Sequence, residues 1–122
     1  MNKLIPVLLL VTINTAHAES PERRETRVSA KQILRALTHY LDDCGAYPTT
    51  EQGLDALFEK PDRGPCAHWG PKPYLEALTK DGWGHYWNYE ADTQAVKVTS
   101  FGADGLEGGT GEDEDLVFRA NR

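Results

Sequence analysis

The stretch from Ser100 to Asp115, which we call the acidic loop, combines five glycines with six acidic side chains and no basic one. Calcium takes roughly six to eight oxygen ligands in flexible geometry, from carboxylates and from backbone carbonyls. Glycine permits the tight turns that aim carbonyls inward. The acids are Asp104, Glu107, Glu112, Asp113, Glu114 and Asp115. The loop is therefore predicted to bind a cation, and a solvated charged surface is the alternative.

The same loop does not fit the better-known binding motifs. Counting from Asp104 places Leu106 and Gly108 where an EF-hand needs oxygen-bearing side chains. The formal net charge of −6 argues against nucleic acid as a partner. The histidines are scattered and the serines lack a nucleophile motif, so we predict no catalytic residue and no enzymatic activity.

The first 18 residues have the three parts of a secretory signal peptide. Lys3 precedes an apolar run over residues 4–13, and Ala-His-Ala closes the segment at Ala18. A membrane-spanning helix needs about 20 apolar residues, roughly twice this run. We therefore expect an exported chain that starts at Glu19, resides in the periplasm and has no membrane span.

The chain contains two cysteines, Cys44 and Cys66. Both follow the predicted signal peptide, and an oxidising compartment lets a cysteine pair persist as a disulfide. A structural Cys44–Cys66 disulfide is therefore predicted. A catalytic or metal-binding pair is the alternative, although the spacing is far from Cys-x-x-Cys.

A long helix is the first element that could position these residues. From Val28, apolar side chains recur at the three- and four-residue spacing of one helix face. They are Ala30, Ile33, Leu34, Leu37, Tyr40, Leu41 and Cys44. Gly45 and Pro48 then end the helix, which should cover about fifteen to twenty residues. The charged segment 19–27 is either a helical extension or a disordered start.

Shorter elements are predicted after this helix. Thr49 and Gln52 fit a capping box that begins a short second helix ending near Glu59. Residues 61–73, rich in proline and glycine, are predicted to form an irregular loop. Aromatic and β-branched residues predict strands at 85–89, 96–99 and 116–118. The predicted fold class is α+β, with a long N-terminal helix packed on a small antiparallel sheet.

Aromatic side chains are concentrated between the second helix and the first two strands. They are Trp69, Tyr74, Trp83, Tyr86, Trp87 and Tyr89. Such residues can form a platform on which a sugar stacks, but aromatics in a small β domain more often form its core. We favour the core interpretation.

Three segments of the chain carry a family pattern. Tyr47–Leu54 reads Tyr-Pro-Thr-Thr-Glu-Gln-Gly-Leu, and Lys80–Gly84 reads Lys-Asp-Gly-Trp-Gly. Ser-Phe-Gly-Ala-Asp-Gly then opens the acidic loop. In this order the segments resemble the major pseudopilins of type II secretion systems, over roughly residues 28–118. Gly82 stands where that family usually has proline.

The resemblance implies a long N-terminal helix on a small antiparallel sheet, with a last loop that binds calcium and is needed for a stable pseudopilus. Carried over by position, the side-chain ligand candidates are Asp104, Asp113 and Asp115. The backbone candidates are the carbonyls of Phe101 and Leu106. Glu112 and Glu114 are alternatives, because the spacing after Glu107 varies in the family.

The N-terminus departs from the family pattern, which has a short basic leader and an apolar anchoring helix where this chain has the predicted signal peptide. We therefore expect residues 19–27 to be a charged extension and residues 28–122 to form a pseudopilin-like globular domain. Together, the resemblance and the predicted signal peptide lead us to expect a soluble periplasmic calcium-binding protein that is an accessory or partner of the protein components of a type II secretion system. A stand-alone periplasmic module that binds a protein or a glycan is the alternative.

Overall fold

One long helix packs against a three-stranded antiparallel sheet in the computed structural model of this chain, which describes residues 18–62 and 66–122. The helix, α1, spans Pro21–Cys44. The strands β1, β2 and β3 span Asn88–Ala91, Ala95–Ser100 and Leu116–Asn121, and lie in the order β1-β2-β3. The predicted α+β fold is confirmed. The predicted signal peptide lies, apart from Ala18, outside the described residues.

The helix α1 begins and ends with well-formed caps. The Ser20 hydroxyl accepts a hydrogen bond from the Arg23 amide at 3.2 Å, and Pro21 occupies the first turn, where its missing N–H is not needed. Gly45 takes a left-handed φ of +77°, and its N–H donates to the Leu41 carbonyl at 2.8 Å. The helix has 24 residues, so most of the charged segment before the predicted helix is itself helical. No helix in the described ranges is both long and apolar enough to cross a membrane.

The core lies between α1 and the inner face of the sheet. Ile33, Leu37 and Tyr40 are buried along one face of the helix, as their spacing predicts. Val96 and Val98 of β2 are buried in the same cluster, because alternate residues of a strand share a face. Burying an aliphatic side chain of this size contributes about 1.5–3 kcal/mol relative to leaving it exposed.

The segment after α1 differs from its prediction. The capping box forms, because the Gln52 amide donates to Thr49 Oγ1 at 3.0 Å and the Thr49 amide donates to Gln52 Oε1 at 2.9 Å. Gly53 then takes a φ of +67°, and the chain continues as a 3₁₀ helix over Leu54–Leu57. The predicted short second helix is therefore present only as a 3₁₀ turn that ends at Leu57, and the positive φ of Gly53 separates it from the capping box.

The proline-rich loop is tied to the end of α1. Cys44 and Cys66 form the predicted disulfide. Within the loop, the Trp69 indole N–H donates to the Ala56 carbonyl at 2.7 Å, and the Trp69 ring meets the Tyr74 ring edge-on with centroids 5.5 Å apart. These contacts anchor an irregular segment to both the helix and the 3₁₀ turn.

The strands lie close to their predicted positions, with one shift. β2 and β3 each extend beyond the predicted residues 96–99 and 116–118. β1 begins at Asn88 and not at residue 85, because the chain before it turns around the side chain of Asp81.

Candidate functional site

The acidic loop connects β2 to β3 and is closed on itself. The Ala103 amide donates to the Glu112 carbonyl at 2.8 Å, and a 3₁₀ turn spans Gly111–Asp113. A Cβ on Gly102 or on Gly109 would lie 2.7 Å from the Asp113 carbonyl oxygen. Both glycines also have positive φ, +74° and +92°. The backbone of Asp113 is therefore enclosed between two positions that only glycine fits.

Two of the predicted carboxylate ligands are held by the loop's own backbone. Asp104 Oδ1 accepts from the Leu106 amide at 3.0 Å, and Asp115 Oδ2 accepts from the Gly108 amide at 3.0 Å. The second oxygen of Asp115, Oδ1, is buried and has no hydrogen-bond partner among the described residues. A buried carboxylate oxygen without a donor is costly, and a bound cation would satisfy it. Asp115 Oδ1 is thus a candidate ligand for a hard, oxygen-seeking ion such as calcium.

The predicted ligands share the loop without forming a group of three carboxylates. Over residues 18–62 and 66–122, no three His, Cys, Asp or Glu side chains lie together as a metal-binding group. Phe101 is half-buried at the start of the loop, and Leu106 is 66% exposed near its tip. An ion held here would therefore need backbone carbonyls in addition to carboxylates, which is compatible with calcium.

A buried aspartate that the sequence analysis did not single out fixes the start of the acidic loop. Asp81 is only 4% exposed. Its Oδ1 accepts from the amides of Trp83 at 3.0 Å and His85 at 2.9 Å, and its Oδ2 accepts from the Ser100 hydroxyl at 2.8 Å. The Ser100 oxygen in turn accepts from the Gly102 amide at 3.3 Å. The only signal in the sequence was its place in the Lys80–Gly84 motif.

His85 also contacts the first half of the acidic loop, at Ala103 and Gly105. Its Nε2 lies 3.1 Å from the Ala103 carbonyl oxygen, and because that oxygen can only accept, Nε2 carries the proton and donates. The imidazole ring also packs on Gly105, where an added Cβ would lie 3.2–3.3 Å from three ring atoms. His85 is therefore a structural contact of the loop in this geometry.

The first two turns of α1 contact the segment that contains Asp81. The Gly82 amide donates to Thr26 Oγ1 at 2.9 Å, and the Thr26 hydroxyl donates to the Glu22 carbonyl at 2.7 Å. A Cβ on Gly82 would collide with the Glu22 backbone. Proline, which the family pattern has at this position, would lack the N–H and add the colliding atoms.

The N-cap and the first turn of α1 also contact the acidic loop. The Ser20 hydroxyl donates to the Glu112 carboxylate at 2.8 Å. Arg23 Nη1 donates to the carbonyls of Gly111 at 3.2 Å and Glu114 at 3.4 Å. Sequence reasoning missed these contacts, because nothing local in the charged segment indicates a partner about ninety residues away.

The aromatic side chains do not form one exposed platform. Trp87 and Tyr89 are buried in the core, and Trp69 packs on Tyr74. Tyr86 is 72% exposed, with Lys80 over its ring. The Tyr89 hydroxyl donates to the Pro48 carbonyl at 2.7 Å, and burial raises the pKa of this hydroxyl. These positions support the core interpretation for most of the set.

Comparison with known proteins assigns the chain to a family. A family model described as type II secretion system (T2SS), protein G, matches residues 14–119. The type II secretion system core protein G of Pseudomonas aeruginosa is 42% identical over 89 residues, covering 70% of this chain and 63% of that protein. The core protein G of Vibrio cholerae is 34% identical over 100 residues, covering 80% of this chain and 68% of that protein.

A solved structure agrees with these matches. The crystal structure of the major pseudopilin from the type 2 secretion system of enterohaemorrhagic Escherichia coli superposes with a TM-score of 0.66 at 30% identity, covering 79% of this chain and 84% of that one. The chain thus spans about two thirds of the length of its full-length relatives. The matched residues include all three predicted motifs, β1, β2 and most of β3, and the chain belongs to the type II secretion system protein G family.

Proposed function

We propose that this chain is a calcium-binding, pseudopilin-like protein of the periplasm that acts as a structural accessory of a type II secretion system, with no catalytic activity. Its family membership and its pseudopilin-like fold support the association with the secretion system. The signal peptide predicted at residues 1–18 and the Cys44–Cys66 disulfide support an exported protein in an oxidising compartment.

The single observation that carries the calcium proposal is the unpartnered, buried Oδ1 of Asp115 within the acidic loop. The loop concentrates carboxylates that repel one another, and a divalent ion would supply the charge that offsets this repulsion. Asp115 and Asp104 are the side chains we expect to contact the ion first, since each has one oxygen oriented by a backbone amide. Asp113 and the carbonyls of Phe101 and Leu106 complete the proposed ligand set.

Thermal unfolding of the chelated protein, with calcium or magnesium added back, tests the ion. At a hundredfold excess over its dissociation constant, a ligand of the folded state adds about 2.7 kcal/mol, which corresponds to a rise of about 10 °C in Tm for a domain of this size. Asp115→Asn should remove most of the calcium-specific rise. Glu107→Gln removes the same charge from an exposed position of the loop and is the matched control. Equal rises in all three proteins would contradict the proposed site.

Affinity purification from the periplasm tests the partner. In cells that possess a type II secretion system, crosslinking followed by purification of the tagged protein should recover pseudopilus components. Recovery of none of them, from cells in which the apparatus is assembled and secreting, would refute the proposed association while leaving the calcium site to its own test.

A further inference from the structure

The second half of the acidic loop is contacted by two side chains from the start of α1, the N-cap residue Ser20 and Arg23 of the first turn. Ser20 reaches the Glu112 carboxylate, and Arg23 reaches the carbonyls of Gly111 and Glu114. The 3₁₀ turn Gly111–Asp113 lies between these attachment points. The contacts join parts of the chain that are about ninety residues apart in sequence.

Charge explains why this attachment matters to the loop. The four acids from Glu112 to Asp115 are consecutive, and no basic residue lies in the loop itself. The Arg23 guanidinium therefore brings a positive charge to this turn from outside the loop. Hydrogen bonds with an ionised donor are roughly twice as strong as neutral ones, and a guanidinium holds its donors in a fixed plane.

The backbone of α1 on either side of Arg23 is itself held in place by neighbouring contacts. Thr26, one turn further along α1, accepts from the Gly82 amide, and the Glu22 backbone packs against Gly82 so closely that no Cβ fits between them. The Ser20 cap orders the helix start through the Arg23 amide. A short, rigid path thus connects the segment around residue 82, the first turn of α1 and the acidic loop.

We propose that Arg23 is the positioning residue of the acidic loop. It holds the turn Gly111–Asp113 in place without an ion, and it couples ion binding in the loop to the order of the first turn of α1. The coupling part rests on the proposed calcium function. Because coupling between two equilibria is reciprocal, an ion that orders the loop also orders the helix start through Arg23.

Hydrogen exchange on the chelated full-length protein tests the positioning role. The amides of Ala103, Asp113 and Glu114 are bonded within the loop and report its order. In Arg23→Ala these amides should exchange roughly tenfold faster than in the wild type, and Arg23→Lys should restore part of the protection. Arg24→Ala, which removes an exposed charge one position further on, should leave the loop amides unchanged.

Calcium titration of the same variants tests the coupling. Arg23→Ala should weaken calcium binding several-fold relative to Arg24→Ala. Calcium should slow exchange at the amides of residues 23 and 24 in the wild type and in Arg24→Ala, but not in Arg23→Ala. Unchanged loop exchange in Arg23→Ala, or an equal acceleration at amides of β2, would overturn the positioning role. If the wild type binds no calcium, the proposed calcium function and the coupling fail, while the exchange result in chelator still decides the positioning role.

Discussion

Removing the Asp81 side chain should destabilise the whole domain. Its two carboxylate oxygens accept from the amides of Trp83 and His85 and from the Ser100 hydroxyl. The residue is only 4% exposed. Each buried donor left unpaired costs about 1–3 kcal/mol. Allowing for some access of water to the vacated site, we expect Asp81→Ala to lower the free energy of unfolding by about 3–5 kcal/mol.

Asp92→Ala is the matched control for this loss. Asp92 Oδ1 accepts from the amides of Gln94 at 2.7 Å and Ala95 at 2.8 Å, so the same kind of bond is removed. Asp92 is exposed, and water can replace the lost acceptor, so the expected loss is at most about 1 kcal/mol.

Urea denaturation followed by far-ultraviolet circular dichroism measures both variants, with the disulfide intact and chelator present. A small domain has about 5–15 kcal/mol of total stability, so a loss of the expected size moves the midpoint clearly at an unchanged slope. Equal losses for Asp81→Ala and Asp92→Ala would refute the reasoning, because burial would then not decide the cost. A normal calcium response in Asp81→Ala would show that Ser100 and Gly102 stay ordered without it.

Three further predictions concern the scaffold. Cys44→Ser with Cys66→Ser should lower the free energy of unfolding by about 3 kcal/mol, the chain-entropy value for a loop of this length, and chemical denaturation of oxidised and doubly substituted protein measures it. Gly82→Ala should lower the free energy of unfolding by about 2 kcal/mol or more, because the added Cβ collides with the Glu22 backbone. Gly84→Ala is the comparison: its Cβ meets no atom within 4 Å, but the residue has a φ of +81°, so its smaller loss of stability measures backbone strain alone. Burial raises the pKa of Tyr89 in the folded state, so folding favours the neutral phenol. The free energy of unfolding should therefore keep its full value below the ordinary tyrosine pKa of about 10 and decrease as the pH rises above it. Tyr89→Phe should make this decrease smaller in urea titrations carried out over a series of pH values.

The sequence predicted well those parts of the fold that depend on residues close together in the chain or on a pairing with one possible partner. The apolar spacing around Ile33 and Leu37 determines the buried face of α1 without reference to any partner. The pairing of Cys44 with Cys66 had no competitor once an oxidising compartment was assumed. The capping box at Thr49 formed as its residue types indicate, because both of its hydrogen bonds lie within four residues.

The parts that could not be predicted depend on tertiary pairing. Asp81 is one of 19 acidic residues in the sequence, and its carboxylate can be buried because the fold brings the Ser100 hydroxyl to it in addition to two nearby backbone amides. The 3₁₀ turn follows from the positive φ of Gly53. Glycine adopts positive and negative φ about equally readily, so the sequence does not predict which one occurs. For the acidic loop, residue types indicated an ion, while the unpartnered Oδ1 of Asp115 emerged only from the folded backbone.

Gly82 shows how one departure from the family pattern connects these unpredicted contacts. Without a Cβ, the residue lets the Glu22 backbone approach and gives its N–H to Thr26, so the first two turns of α1 lie directly on the segment that Asp81 organises. Arg23 projects from those same turns onto the acidic loop. A side chain at position 82 would displace the helix start and, with it, the guanidinium that holds the loop. The glycine therefore acts on the acidic loop at a distance, through the position of one helical turn.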